Sequence, residues 1–87
     1  MKARGLRLLS RRWCHLCHEM EAALQPLAAE LGVPLQVLDV DADAQLEARW
    51  DEHVPVLLAD DDEEICRHRL DEAALRAWAA RGGAHGR

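Results

Sequence analysis

An α/β fold, with a four-stranded mixed sheet flanked by helices in the order β-α-β-α-β-β-α, is what this 87-residue sequence predicts. Three observations carry that reading. Short apolar runs at 6–10, 35–40 and 54–59 have the length of strands. Segments with a helical period separate them, and another follows at 72–80. The acidic stretch Asp60-Asp61-Asp62-Glu63 reads as a hairpin turn that returns the chain through 64–68 as a fourth strand.

Leu6 to Ser10 is bounded by Gly5 and Arg11-Arg12 and is apolar enough for a buried central strand. From Cys14 to Leu31, the residues Leu16, Met20, Ala23, Leu24, Leu27, Ala28 and Leu31 recur at three- and four-residue steps, which makes one buried helical stripe. Gly32 ends that helix, and Pro26 is expected to kink it or tighten a turn. Val33-Pro34 leads into a second strand over 35–40, parallel to the first through a right-handed crossover.

Residues 41–50 form a short helix capped by Asp41 or Asp43, with Leu46 and Trp50 inward. The run 54–59 is a strand that starts with proline, where the missing N–H is tolerated. Asp71 caps the last helix, which turns Ala74, Leu75 and Trp78 inward and stops at Gly82-Gly83. One complete domain is expected over 1–87, frayed at 1–4 and 83–87. With no Phe or Tyr, its core should be aliphatic, with Trp13, Trp50 and Trp78 as the aromatics.

The net charge of −5 conceals an asymmetry, because residues 1–20 carry Lys2, Arg4, Arg7, Arg11 and Arg12 against Glu19 alone. An acidic chain with no stacking aromatics or nucleic-acid motif argues against nucleic-acid binding. No stretch is long enough to cross a membrane, and the N-terminus lacks a secretory leader's apolar core. A cytoplasmic monomer is therefore expected. Paired thiols in that compartment are more often catalytic or metal-binding than structural.

Those thiols are Cys14 and Cys17, placed where the first strand turns into a helix. A thiolate on a first turn faces unpaired N–H groups and the positive end of the helix dipole, which favour the charged form. Its neighbour three residues on can release a mixed disulfide. Cys14 is thus the candidate nucleophile and Cys17 the resolving thiol. Arg11 and Arg12 would add a basic rim, and His15 could donate to the Cys14 sulfur.

The CxxC string at a strand–helix junction, together with the element order and the Val54-Pro55 strand start, resembles the thioredoxin fold and most closely the small bacterial glutaredoxin-like proteins. The resemblance spans roughly residues 5 to 82. It implies a thiol–disulfide oxidoreductase in which Pro55 is cis against the dithiol and the Val54 backbone pairs with substrate. Trp13 before Cys14 is a thioredoxin-like feature. Glutaredoxins hold glutathione with a glycine pair and an aspartate. Here Arg67-His68-Arg69-Leu70 precedes Asp71, which alone matches. The resemblance therefore implies a disulfide-bearing protein or small thiol as substrate, no resident cofactor, and weak or no glutathione specificity.

Other chemistries fit less well. Cys-x-x-Cys-His is also a haem attachment string, but here it lies inside a βαβ unit. The acidic run lacks the glycine and spacing of a calcium loop and reads as a solvated turn. A zinc-holding or other non-enzymatic binding module is the alternative. It would use the same cysteines with His15, His18 or His53, whereas Cys66 and His68 should lie away from the dithiol. Cys66 itself reads as a small buried strand residue.

Overall fold

The computed structural model describes residues 5–81. The expected termini and the Gly82-Gly83 stop lie outside them. Strands β1 (Leu6–Ser10), β2 (Leu35–Asp39), β3 (Val56–Ala59) and β4 (Glu64–Arg67) form one sheet in the order β2-β1-β3-β4. β1 and β2 are parallel, while β3 is antiparallel to both β1 and β4. Helices α1 (His15–Leu31), α2 (Ala44–Trp50) and α3 (Glu72–Arg81) complete the expected α/β order.

The central strands are apolar on both faces because both faces are covered. Leu6, Leu8, Leu57 and Ala59 pack with Met20, Leu24 and Ala28 of α1 and Leu75 and Trp78 of α3. Leu9, Val56 and Leu58 point the other way, into a second cluster with Val40, on which Leu46 and Trp50 of α2 and Val54 rest. No helix among the described residues is long and apolar enough to cross a membrane.

Several local expectations are revised. The buried stripe of α1 runs through Cys17, Met20, Leu24 and Ala28, while Leu16 and Ala23 are exposed. Pro26 lies inside the helix, which continues to Leu31. Pro26 and Ala22 are both exposed residues, so the hydrogen bond that the missing Pro26 N–H costs is lost on the solvent side of the helix rather than in the core. Gly32 closes the helix in the left-handed conformation (φ 71°), with its N–H donating to the Ala28 and Ala29 carbonyls.

The second strand ends at Asp39, and a 3₁₀ turn over Val40–Ala42 precedes α2, which Asp43 caps. The third strand begins at Val56, after the proline rather than before it. Trp13 is 85% exposed and takes no part in the core. The acidic turn is tied down as well as solvated. Asp62 pairs with Arg7, Glu63 with Arg81 and Glu64 with Arg67, while an Asp60 carboxylate oxygen accepts from the Gly5 N–H.

Candidate active site

Strand directions bring three chain segments to one end of the sheet. β1 leaves the sheet at Ser10, paired with Asp39 of β2. Because β3 is antiparallel, its first residue Val56 lies opposite Leu9, so the preceding Val54–Pro55 unit sits at that end too. Arg67 pairs with Val56, so β4 also leaves the sheet there, and the His68 N–H donates to the Pro55 carbonyl at 2.7 Å. The Val54–Pro55 peptide bond is cis, with Pro55 fully buried.

Cys14 is the N-cap of α1, in an extended conformation, and its sulfur accepts a hydrogen bond from the Cys17 N–H at 3.1 Å. Its own N–H donates to the Arg11 carbonyl, and its carbonyl accepts from the His18 N–H, each at 3.2 Å. Cys14 and Cys17 are joined as a disulfide, with Cα atoms 5.2 Å apart. Cys14 is half-buried and Cys17 is fully buried, so the first sulfur of the pair is the accessible one.

The surrounding charges do not all turn toward it. Arg11 forks onto Asp41, with Nε 3.1 Å from both carboxylate oxygens and Nη2 2.8 Å from one, while Nη1 donates to the Asp51 carbonyl. The Asp41 hydrogen bond holds the Arg11 guanidinium above its ordinary pKa. Arg11 is therefore committed elsewhere, and Arg12 remains of the expected basic rim. His15 Nε2 lies 3.0 Å from Glu19 Oε2 one helical turn on, rather than reaching back to Cys14.

Around the dithiol, Trp13 lines a surface cleft with Arg12, Asp39, Asp41 and Ala42. On the other side of the helix start, Leu16, Glu19, Met20 and Ala23 of α1 face His68, Arg69 and Leu70 across a groove. His68 was expected on the fourth strand, away from the dithiol. It follows the end of β4 at φ 70° and lines this groove opposite α1. The groove was not expected from sequence, which placed Leu16 in the buried stripe. The signal was present: counting Cys17 as apolar puts the stripe on 17, 20, 24 and 28 and leaves Leu16 one residue outside it.

The segment before Pro55 is held from two sides. Trp50 meets the His53 ring edge-on, with centroids 6.3 Å apart, and the Arg67 guanidinium lies 5.9 Å from the Trp50 ring. Arg67 also forks onto Glu64 at 2.7 and 2.8 Å, which holds the Glu64 carboxyl below the usual carboxylate range. Asp71 caps α3, its Oδ1 accepting from the Ala74 N–H at 3.0 Å. Cys66, opposite Leu57, is a half-buried free thiol that burial pushes up in pKa. Among the described residues, no group of three or more His, Cys, Asp and Glu is placed to hold a metal ion.

The profile of the glutaredoxin-like domain known as DUF836 matches residues 5–80. The solution structure of protein Ne2328 from Nitrosomonas europaea is similar, with 34% identity over 90% of this chain and 93% of that one and a TM-score of 0.76. A structural-genomics target from X. campestris has 31% identity over 88% of this chain and 97% of that one, with a TM-score of 0.65. Thioredoxin of Fasciola hepatica shares the fold at 23% identity, covering 91% of this chain and 80% of its own, with a TM-score of 0.65. No curated protein matches the chain.

Proposed function

The chain belongs to the glutaredoxin-like DUF836 family, and we propose that it is a thiol–disulfide oxidoreductase in which Cys14 attacks and Cys17 resolves. Family and CxxC pair together support a thiol redox role. The observation that carries the finer reading is the Cys17 N–H donating to the Cys14 sulfur at the start of α1. A donor aimed at that sulfur, together with the helix terminus, stabilises a thiolate more than a thiol.

In the reduced protein, the Cys14 thiolate attacks one sulfur of a substrate disulfide. A Cys14–substrate disulfide forms and the other substrate sulfur leaves as a thiolate. Cys17, after losing its proton, attacks the Cys14 sulfur, which forms the intramolecular disulfide and releases the second substrate thiolate. Two electrons pass to the substrate, and its two thiolates take up the proton lost by Cys17 and one from solvent, which had received the Cys14 proton. A dithiol or thiol reductant reverses the step on the protein.

The Val54 backbone, held beside buried Pro55, is the edge on which an extended substrate would pair, and Asp71 would stand beyond it as a polar contact. We assign the protein no resident cofactor and poor use of glutathione, because Arg67, His68 and Arg69 carry side chains where a close backbone approach needs glycine. We also propose a cytosolic site of action, a compartment whose reductants would return the Cys14–Cys17 disulfide to the dithiol.

Equilibration in glutathione redox buffers followed by mass spectrometry tests the reading. The expected result is a reversible loss of two hydrogens confined to Cys14 and Cys17. Thiols that never pair at any potential would overturn it. The midpoint then sets the direction: about −270 mV marks a reductant and about −120 mV an oxidant.

A further inference from the structure

A closed chain of contacts surrounds the two residues before β3. At the end of α2, the Trp50 carbonyl accepts from the His53 N–H at 2.8 Å, and the two rings meet edge-on. From the other side, β4 ends at Arg67, which lies opposite Val56 and places its guanidinium 5.9 Å from the centroid of the Trp50 ring. The next residue, His68, gives its N–H to the Pro55 carbonyl at 2.7 Å. It does so at φ 70°, a left-handed conformation that a residue with a side chain keeps only when its surroundings impose it. Trp50 and Arg67 therefore join the two arms of a brace around Val54 and Pro55.

The backbone held in this brace is itself free. The β1–β3 ladder ends at Leu9–Val56, and neither the N–H nor the C=O of Val54 makes a backbone hydrogen bond among the described residues. The Val54 side chain, like Trp50, rests on the cluster of Leu9, Val40, Val56 and Leu58. Free backbone groups on an anchored side chain make a fixed docking edge, whose direction is set by what anchors it. Arg67 is fixed in turn by its fork onto Glu64 at 2.7 and 2.8 Å. Arg49 also lies over Trp50, at 5.0 Å, but it belongs to the same helix and ties the ring to nothing beyond α2.

Resting on the oxidoreductase reading above, we propose that Trp50 and Arg67 are positioning residues for that reaction: they set where the Val54 backbone stands, and through it how an extended peptide disulfide is laid toward Cys14. A peptide that pairs with a backbone edge gains rate from orientation, and a small misplacement of that edge loses it. Neither residue takes part in the thiol chemistry. Their effect is therefore confined to substrates long enough to pair.

The test compares the rate of the reduced protein with two disulfides, a linear peptide linked to its own copy through one cysteine and hydroxyethyl disulfide, which has no peptide backbone. Arg67→Lys keeps the charge but loses the planar stack and the fork, so it should slow the peptide reaction by about tenfold and the hydroxyethyl disulfide reaction by less than about twofold. Trp50→Ala should show the same split, and Trp50→Phe, which keeps a ring for His53 and Arg67, should restore most of the peptide rate. Arg49→Ala removes a cation from the same ring without loosening β4 and should leave both rates unchanged.

In Arg67→Lys, equal losses toward both disulfides, or no loss toward the peptide, would overturn the proposal. A second arm separates it from the redox reading. In Cys14→Ser protein, adding Arg67→Lys should weaken binding of the reduced linear peptide by about tenfold, and unchanged affinity would overturn the proposal on that arm alone. If the wild type reduces neither disulfide while this binding difference holds, the oxidoreductase reading fails and the braced docking edge stands.

Discussion

The Cys17 backbone N–H points at the Cys14 sulfur, 3.1 Å away, so one side chain both caps α1 and presents the accessible thiol. Capping and chemistry can be separated by substitution. Cys14→Ser and Cys14→Ala both abolish the disulfide, but serine is a preferred N-cap and alanine is not. The serine variant should be more stable in urea by about 1 kcal/mol, and equal midpoints would mean that the sulfur contributes nothing to the helix start.

Much of this arrangement was legible in the sequence. The Leu6–Ser10 strand, the Gly32 stop and the Asp71 cap follow from burial, left-handed backbone and an oxygen acceptor, each a local requirement that residue type reveals. Three things were not legible. The phase of the α1 stripe was ambiguous by one residue, because Leu16 and Cys17 both lie three or four residues before Met20. Trp13 counts as apolar in composition, yet it sits in the turn before the helix, where no layer covers it. Arg11 is committed to Asp41, thirty residues away, and a charge pattern read along the chain does not carry that pairing.

Trp78 and Trp13 should respond in opposite ways to truncation. Trp78 is 1% exposed between α3 and the sheet, and Trp78→Ala should cost about 3–5 kcal/mol of stability. Trp13→Ala should change stability by less than about 0.5 kcal/mol. Chemical denaturation of both variants checks the pair, and a large loss at Trp13 would contradict its exposed placement.

Acid should weaken the Glu64–Arg67 clamp. Hydrogen bonding from Arg67 lowers the Glu64 carboxyl below its ordinary value, so the stability it adds is present above the unfolded carboxylate pKa and is lost as pH falls through the folded one. Urea midpoints measured from neutral pH into the acid range should fall less steeply in Glu64→Gln than in the wild type. Parallel acid limbs would show that the pair has no linkage to folding.

Cys66 should behave unlike the dithiol. Its thiol is half-buried and pushed up in pKa by desolvation, so less thiolate is available at neutral pH. In the reduced protein, iodoacetamide at neutral pH should modify Cys14 at least about tenfold faster than Cys66, as judged by peptide mass mapping. Comparable rates would place Cys66 in a more exposed setting than β4 gives it.

The division of labour between the two cysteines is tested most directly by trapping the intermediate. Reduced Cys17→Ser protein mixed with a disulfide-bonded peptide should accumulate a mixed disulfide through Cys14 that persists until a thiol is added, whereas Cys14→Ser should accumulate none and the wild type should pass through it to the Cys14–Cys17 disulfide. Trapping through Cys17 in the Cys14→Ser protein at a comparable rate, or through Cys66 in either variant, would contradict the account.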